Sequence, residues 1–186
     1  MTIDDAFIEK WHPKYDEHDE KEYEEIILAV LKDVTGMGTI SKLTFERIMN
    51  WKAARAKGYV EWKNFDKYKK AFRNALSAQE EQKVTILDDL PGVGIPIAST
   101  ILHFVYPKIF PIVDFRTVET LQKGEYLDKT KSKYYFRDTS QGYNCFRHTI
   151  LNIAQRCPTR SLRKIDRALF AYHKIELDPK SKCQQT

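Results

Sequence analysis

The sequence predicts an all-α fold, and three observations support that prediction. Apolar residues recur at helical spacing in several segments, glycine and proline separate those segments, and no segment alternates as a strand does. The chain has 186 residues, of which 42% are hydrophobic and 12% aromatic. That content is sufficient for one sizeable core, or for two small helical lobes around a cleft. We expect a polar, loosely attached lead-in over residues 1–20 and a single helical domain over residues 21–186.

Four helices are predicted in the first half of the chain. Each is recognised by an apolar stripe at helical spacing and by a capping residue or a glycine near its ends. The predicted elements are residues 22–34 before Gly36 and Gly38, a helix between a cap at Thr39 or Ser41 and a stop at Gly58, residues 64–78, and a short helix leading to Leu90. The last of these helices runs into a glycine-rich turn, on which the functional prediction depends.

Helices and non-helical segments alternate in the second half. The predicted helices run from Gly94 to about Tyr106, from near Asp114 onward, over residues 143–156, and from Thr159 to about His173. Two prolines make residues 107–113 extended, because a proline ring is incompatible with the interior of a regular helix. The polar, basic and aromatic stretch 123–142 is predicted as a long loop, and Pro158 separates the last two helices.

Charge is distributed unevenly along the chain. The formal net charge is +5, yet the first 25 residues carry ten acids against three lysines. The remaining body is therefore strongly basic, which favours a polyanionic partner because each neutralised phosphate releases counterions. A solvated basic surface is the alternative. For residues 161–167, where three cations surround one acid, a solvated helix face is the preferred interpretation.

Cysteine and histidine usage does not indicate a metal centre. Cys145, Cys157 and Cys183 are odd in number and fit no zinc or iron–sulfur spacing. The five histidines form no metal-spaced pair, and His103 is expected to be a packed core residue. The sequence also has an acidic start unlike a signal peptide and no apolar run of roughly 20 residues. Together with reduced thiols, these features predict an intracellular protein, cytoplasmic or nucleoid-associated.

Residues 87–101 form the most informative stretch of the sequence. An apolar helix end meets a tight Pro-Gly-Val-Gly turn and a second apolar helix. Gly92 and Gly94 permit backbone angles that side chains forbid, and they leave amides accessible at a helix N-terminus, where an anion is favoured. Pro96 suits the first helical turn, and the small Ala98 allows close helix packing. The pattern predicts a hairpin that binds phosphate at Gly92 and Gly94, with an ordinary glycine-capped αα turn as the alternative.

The hairpin and the segment after it resemble the helix-hairpin-helix base-excision glycosylases of the endonuclease III and adenine glycosylase type. In that family an LPGVG turn is followed by a helix, an apolar extended piece and a VD element whose aspartate is the catalytic acid. Here residues 90–94 are LPGVG and residues 110–114 are FPIVD, at an interval similar to that of the family. The resemblance is strong over roughly residues 86–121.

This resemblance implies a glycosylase-like fold with two helical lobes around a cleft, a double-stranded DNA partner and hydrolytic removal of an altered base. It extends more weakly to Asn50, Trp51 and Lys52, which correspond in order to the segment that plugs the duplex and are candidates for a base pocket or plug. Related hairpins hold a structural monovalent cation through backbone carbonyls, and the sequence neither supports nor excludes one here.

The chain also departs from the family pattern. Pro96 stands where bifunctional members carry a lysine nucleophile, so the resemblance implies a monofunctional enzyme without lyase chemistry. The C-terminal four-cysteine motif is absent, so no iron–sulfur cluster and no other cofactor is expected. Arg116 replaces a histidine that often follows the aspartate by two residues. The stretch between the plug helix and the hairpin is shortened, which affects the region that would form the base pocket.

Asp114 follows an apolar run and opens a helix. Locally it is best explained as an N-cap, since aspartate is among the most favourable capping residues. Its spacing to the hairpin instead favours the catalytic role that the family assigns to it. Glycosidic cleavage passes through a cationic, oxocarbenium-like sugar that a carboxylate stabilises, and the base must first be flipped into a pocket. Arg116, in the same turn, is predicted to pair with a DNA phosphate or with Asp114.

Three hypotheses about function remain open at this stage. The first is a monofunctional glycosylase-like hydrolase, in which Trp51, Trp62 or the aromatic cluster 134–136 contributes to a plug or pocket. The second is a DNA-binding helix-hairpin-helix module without chemistry. The third is a helical scaffold whose basic surface has another use. Large aromatic residues are more often core than pocket, so these aromatic candidates carry little weight on their own.

Overall fold

The computed structural model describes residues 1–15, 17–157 and 161–178, with residues 17–19 as backbone only. The regular elements in these residues are helical and none is a strand, so the predicted all-α class is confirmed. The chain divides into two compact units: residues 16–106 form the first, and residues 1–15 with residues 107–186 form the second. We call the first the hairpin unit and the second the aspartate unit.

The helices have the following bounds. In chain order they are α1 (Asp5–Trp11), α2 (Glu17–Met37), α3 (Lys42–Ala53), α4 (Phe65–Ser77), α5 (Glu80–Asp88), α6 (Ile95–Val105), α7 (Phe115–Lys123), α8 (Lys133–Asp138), α9 (Ser140–Arg156) and α10 (Leu162–Tyr172). Short 3₁₀ turns occupy His12–Lys14, Ala54–Tyr59 and Trp62–Asn64, and a π-helical turn occupies His173–Leu177. The described residues contain no helix long and apolar enough to span a membrane.

The hairpin unit is built around α6. Helices α2, α3 and α5 pack against α6, which is buried on nearly every side. His103 on α6 is 1% exposed and its Nε2 lies 2.9 Å from the Tyr23 hydroxyl, so the prediction of a packed core histidine is confirmed. The aromatic residues Phe65, Tyr68 and Phe72 of α4 are also buried. An apolar and aromatic core therefore supports the two helices that flank the glycine-rich turn.

The aspartate unit combines the first residues of the chain with its last helices. Helix α10 packs against α1, α7 and α9, and α8 packs against α7 and α9. Trp11 of α1 meets Tyr172 of α10 edge-on, with ring centroids 5.1 Å apart. Phe7 lies 5.3 Å from the same Tyr172 ring. The unit is therefore held together by helices from both ends of the chain.

The N-terminal segment differs from the loosely attached lead-in that was expected. Residues 5–11 form α1, with the Asp4 side chain accepting the Phe7 amide as an N-cap. Phe7 and Trp11 are buried, and they recur four residues apart, which is the spacing of one helical face. The acids and lysines around them conceal that spacing in a sequence judged by overall polarity.

The prediction of a long loop over residues 123–142 is wrong for its second half. Ser132 caps α8 and Thr139 caps α9, which begins before Gly142. Gly142 lies inside α9 and does not end a helix, and a Cβ on it would lie 2.0 Å from the Tyr135 carbonyl oxygen. This glycine permits close packing between successive helices, which local sequence does not distinguish from a chain break.

The solvated-face interpretation of residues 161–167 is also wrong in part. Arg163 and Asp166 lie one turn apart on α10 and form an ion pair of 2.7 Å with side chains 7% and 10% exposed. The Arg163 guanidinium also lies over the Tyr15 ring, 4.8 Å from its centroid. These two charges are buried because they neutralise each other, so they do not form a free cationic surface.

Candidate functional site

The turn between α5 and α6 requires glycine at position 92. Gly92 has a φ of +76°, and a Cβ there would lie 2.9 Å from Val60 Cγ2 and 3.0 Å from the Val60 amide nitrogen. The Val93 amide donates to the Leu90 carbonyl at 2.9 Å and closes the turn. A left-handed backbone and a close approach to a neighbouring chain segment therefore coincide at Gly92.

The other side of the turn is open. Gly94 is the N-cap of α6, and its carbonyl accepts the amides of Ile97 and Ala98. A Cβ at Gly94 would meet only Pro96 Cδ, at 3.7 Å. In the part of the chain that the structure describes, the amides of Gly92, Gly94 and Ile95 donate to no acceptor. Unpaired donors at a helix N-terminus favour an anion.

A shallow cavity of about 450 Å³ lies at this open side. It is lined by Tyr59, by the turn residues 90–94 and by Asp88 at the end of α5. Tyr59 is 75% exposed. The Asp88 carboxylate is the acidic member of this lining, and it makes the site less favourable for an anion than the amides alone would suggest.

A buried tyrosine joins α4 to the turn. The Tyr68 hydroxyl donates to the Pro91 carbonyl at 2.7 Å and accepts the Glu61 amide at 3.0 Å. Burial raises the pKa of Tyr68, so its hydroxyl keeps the proton that it donates. The turn is thus supported by a side chain 23 residues earlier in the chain.

Asp114 is the N-cap of α7 in the aspartate unit. Its Oδ1 accepts the Arg116 amide at 3.0 Å, and its own amide donates to Thr117 Oγ1 at 3.2 Å, which makes a reciprocal capping box. The local interpretation of Asp114 as an N-cap is therefore confirmed. Its side chain is nevertheless 25% exposed, so the carboxylate is accessible from solvent.

Arg116 lies next to this carboxylate. One guanidinium nitrogen is 4.0 Å from Asp114 Oδ1. The guanidinium rests over the rings of Phe115 and Phe170, at 4.4 and 5.0 Å from their centroids. Its Nε is buried and has no hydrogen-bond partner among the described residues. The two aromatic rings hold the cation beside Asp114, in the first turn of α7.

The extended segment that leads to Asp114 is held by α9. The Tyr143 hydroxyl donates to the Pro111 carbonyl and the Arg147 Nε donates to the Ile109 carbonyl, each at 3.0 Å. Tyr143 is fully buried, and burial raises its pKa. Extended backbone outside a sheet has carbonyls without regular partners, and these two side chains satisfy them. Sequence reasoning missed both residues, which lie 32 and 38 positions from their acceptors.

The plug candidates belong to the hairpin unit. Trp51 packs against Tyr23 and Phe104, with centroids 6.1 and 5.5 Å apart. Asn50 is exposed, and its Oδ1 accepts from Lys57 Nζ at 2.9 Å. Lys52 is half-buried. The structure thus joins Trp51 to the core of its own unit, while Asn50 and Lys52 stay nearer the surface.

The remaining aromatic candidates differ in exposure. Trp62 packs against Phe45 and Phe65, and its Nε1 donates to the Lys57 carbonyl at 2.9 Å. Phe136 is 3% exposed, whereas Tyr134 is 53% exposed. Phe136 is therefore a core residue, Trp62 is half-buried, and Tyr134 is accessible at the surface.

A second polar cluster in the aspartate unit was not foreseen from the sequence. Glu119 of α7 accepts from Lys133 Nζ at 2.5 Å and lies 2.6 Å from His173 Nε2, at the edge of a cavity of about 680 Å³. Burial raises the pKa of Glu119, but the hydrogen bonds from Lys133 and His173 outweigh it, and the net pKa lies below its ordinary value. His173 Nδ1 is buried without a partner among the described residues.

Metal-binding groups and cysteines add no further site. The described residues contain no group of three or more His, Cys, Asp or Glu side chains that could hold a metal ion. Cys145 is exposed and Cys157 is buried, and both are free thiols. Cys183 lies outside the described residues. Burial raises the pKa of the Cys157 thiol, which disfavours its reactive thiolate form.

Gly92 and Gly94 therefore form one local group, and Asp114 and Arg116 form another in the other compact unit. Comparisons with known proteins found no relative of this chain. The chain matches no protein-family model, no curated protein and no solved structure.

Proposed function

We propose that the chain is a DNA-binding, monofunctional base-excision glycosylase-like protein that hydrolyses the N-glycosidic bond of an altered base. The observation that carries the proposal is the Leu90–Gly94 turn, which leaves the amides of Gly92, Gly94 and Ile95 without described acceptors at the start of α6. Such amides suit a phosphate oxygen, and a duplex supplies phosphates at regular spacing. They bind the backbone and do not read base sequence.

In this proposal Asp114 stabilises the positive charge that develops on the sugar as the base departs. Water then adds to the sugar carbon, and the water proton passes to the carboxylate. The departing base takes the bonding electron pair. The resemblance to the glycosylases supports this role, and so does the solvent access of the Asp114 side chain. Arg116 binds a DNA phosphate beside the reacting nucleotide.

The absence of an amine nucleophile at position 96 supports a monofunctional enzyme. Pro96 has no side-chain nitrogen, and its backbone nitrogen lacks a hydrogen. With no amine at that position, water is the nucleophile, and the sugar–phosphate backbone stays intact after the base is released.

A specific observation favours the second candidate, a helix-hairpin-helix module that binds DNA without chemistry. Asp114 Oδ1 already accepts the Arg116 amide, and the Arg116 guanidinium is 4.0 Å away. The capping hydrogen bond alone explains why position 114 is an aspartate, because aspartate is among the most favourable N-cap residues. In this candidate the hairpin retains its role, and Asp114 only caps α7.

The two candidates differ in base release by the Asp114→Asn variant. Wild type and variant are incubated with duplexes carrying uracil, alkylated purines, oxidised guanine, mismatched adenine or an abasic analogue. Asparagine caps a helix about as well as aspartate, so the fold and DNA binding are expected to persist. The glycosylase proposal expects wild type to release at least one base and the variant to release none. Salt-sensitive binding by both proteins without any release would instead favour the non-catalytic module.

A further inference from the structure

Basic residues in the hairpin unit are concentrated in one segment. Residues 51–73 contain eight of the 13 lysines and arginines of this unit, against two acids, although the unit as a whole has 15 acids. A random distribution of surface charge would give a more even mixture. The segment includes the end of α3, the 3₁₀ turns Ala54–Tyr59 and Trp62–Asn64, and most of α4.

Four of these cations, Arg55 and three at or next to α4, are exposed and have no ion-pair partner in the described part of the chain. The three are Lys63, in the turn before α4, with Lys70 and Arg73 on α4, and we call them the α4 stripe. Lys67 pairs with Glu61 at 3.2 Å, but both side chains are more than 40% exposed, and such a pair contributes little. The α4 stripe therefore presents positive charge that the protein itself does not neutralise.

The two members of the stripe on α4, Lys70 and Arg73, lie away from the buried side of the helix. Phe65, Tyr68 and Phe72 are buried. Lys70 and Arg73 are three residues apart, so they are neighbours on the outer surface of α4. Three residues of a helix advance by about 4.5 Å, so these two side chains are close enough to bind neighbouring phosphates of one DNA strand.

The α4 stripe begins beside the hairpin turn. A Cβ on Gly92 would lie 2.9 Å from Val60 Cγ2, and Tyr68 of α4 donates to the Pro91 carbonyl at 2.7 Å. The chain from Val60 to the start of α4 is thus anchored to the turn at both ends. Lys63 lies within this anchored connection.

We propose that the α4 stripe binds the DNA backbone, as a second phosphate contact of the hairpin unit besides the phosphate held by the hairpin. This inference rests on the proposed DNA binding and names where the duplex extends across the hairpin unit. The contrasting interpretation is a solvated helix face, which makes no contact with DNA.

The test compares two double variants of the full chain. Lys70→Gln/Arg73→Gln removes two cations of the stripe, and Lys21→Gln/Lys32→Gln removes two exposed lysines of α2 as a control with the same change in net charge. Glutamine has a helix propensity close to that of lysine and arginine, so folding is preserved. Affinity for a short labelled duplex is measured by fluorescence anisotropy at several salt concentrations.

The stripe variant is expected to reduce the slope of log affinity against log salt by about 0.9 for each phosphate that it no longer neutralises, while the control keeps the wild-type slope. The inference is overturned if the stripe variant retains the wild-type slope, or if both variants reduce it equally. Steep wild-type binding with an unchanged stripe variant refutes the stripe alone. Weak, salt-independent binding by wild type refutes the proposed function and the inference together.

Discussion

Gly92 and Gly94 are two residues apart, yet they are glycines for different physical reasons. Gly92 combines a positive φ with a close approach to Val60, so any side chain there is strained. Gly94 has an ordinary extended backbone, and a Cβ on it would make only an ordinary contact with Pro96. Nothing in the packing of the hairpin unit requires glycine at position 94. Access of an external group to the amides at the start of α6 would supply that requirement.

We therefore predict that Gly94→Ala weakens DNA binding without unfolding the protein. The added methyl group stands between the α6 amides and a phosphate, and removing one such hydrogen bond corresponds to about 1–2 kcal/mol, or roughly tenfold in affinity. Affinity is measured with a duplex, and folding by thermal unfolding. Gly36→Ala in α2 is the matched control, because a Cβ there meets nothing within 4 Å. Equal affinity for the Gly94→Ala variant and wild type would contradict a phosphate site at the turn.

At the level of elements, the predictable features are those with a local signal. The helices near 64–78, 95–106 and 143–156 are predictable because their apolar residues repeat with the helical period, and the turn at 90–94 is predictable because its residues are contiguous. Helix α8 is not, because its six residues are too few to show a period. In the candidate site, the capping role of Asp114 is predictable for the same reason, because its hydrogen-bond partner lies two residues away in the sequence.

The long-range contacts were not predictable. Tyr68, Tyr143 and Arg147 bind carbonyls 23, 32 and 38 residues away, and nothing in a single sequence links donor to acceptor over such separations. The sequence gives only an indirect indication of these contacts. The proline-containing segment is extended and outside a sheet, so its carbonyls need donors from elsewhere in the chain, but the sequence does not say which residues supply them. These residues position the turn and the segment before Asp114.

We predict that Tyr143→Phe destabilises the protein by about 1–2 kcal/mol, because it leaves the buried Pro111 carbonyl without a donor. The variant keeps the ring, so packing changes little. Chemical denaturation measures the effect. Tyr134→Phe serves as the control, since Tyr134 is 53% exposed and its hydroxyl is close to solvent. A Tyr143→Phe variant as stable as the control would show that the hydrogen bond does not hold the extended segment.

At the scale of the whole molecule, the net charge of +5 derives from one unit. The hairpin unit carries 13 basic and 15 acidic residues, whereas the aspartate unit carries 18 basic and 11 acidic ones. The basic body inferred from the sequence is therefore not uniform. By charge alone, a polyanion would be attracted mainly to the aspartate unit, whereas the excess cations of the hairpin unit are confined to residues 51–73.

Stability of the whole molecule is expected to depend on pH through Glu119. Because its folded pKa lies below its ordinary value of 4.5, its contribution is fully present above that value and is lost as pH falls through the lowered folded pKa. Glu119→Gln should therefore destabilise the protein at neutral pH, by about 1 kcal/mol.

The difference between wild type and Glu119→Gln should shrink as pH falls below 4.5. Denaturation curves at a series of pH values measure this difference. Glu125→Gln is the control, since Glu125 pairs with Lys129 but is 77% exposed. A Glu119→Gln difference that stays constant down to strongly acidic pH would contradict the ion pair as its cause.

The discontinuous aspartate unit has a consequence for synthesis. During translation the hairpin unit is complete once Tyr106 has left the ribosome, whereas α1 must wait for α10 before its apolar side can be covered. Phe7 and Trp11 remain uncovered for most of that time. Domains fold as they emerge, so the nascent chain carries a folded hairpin unit and an unpaired N-terminal helix together. Helix α1 is thus made before the hairpin unit but is packed only when α10 follows, and its apolar side stays open to aggregation or chaperone binding until then.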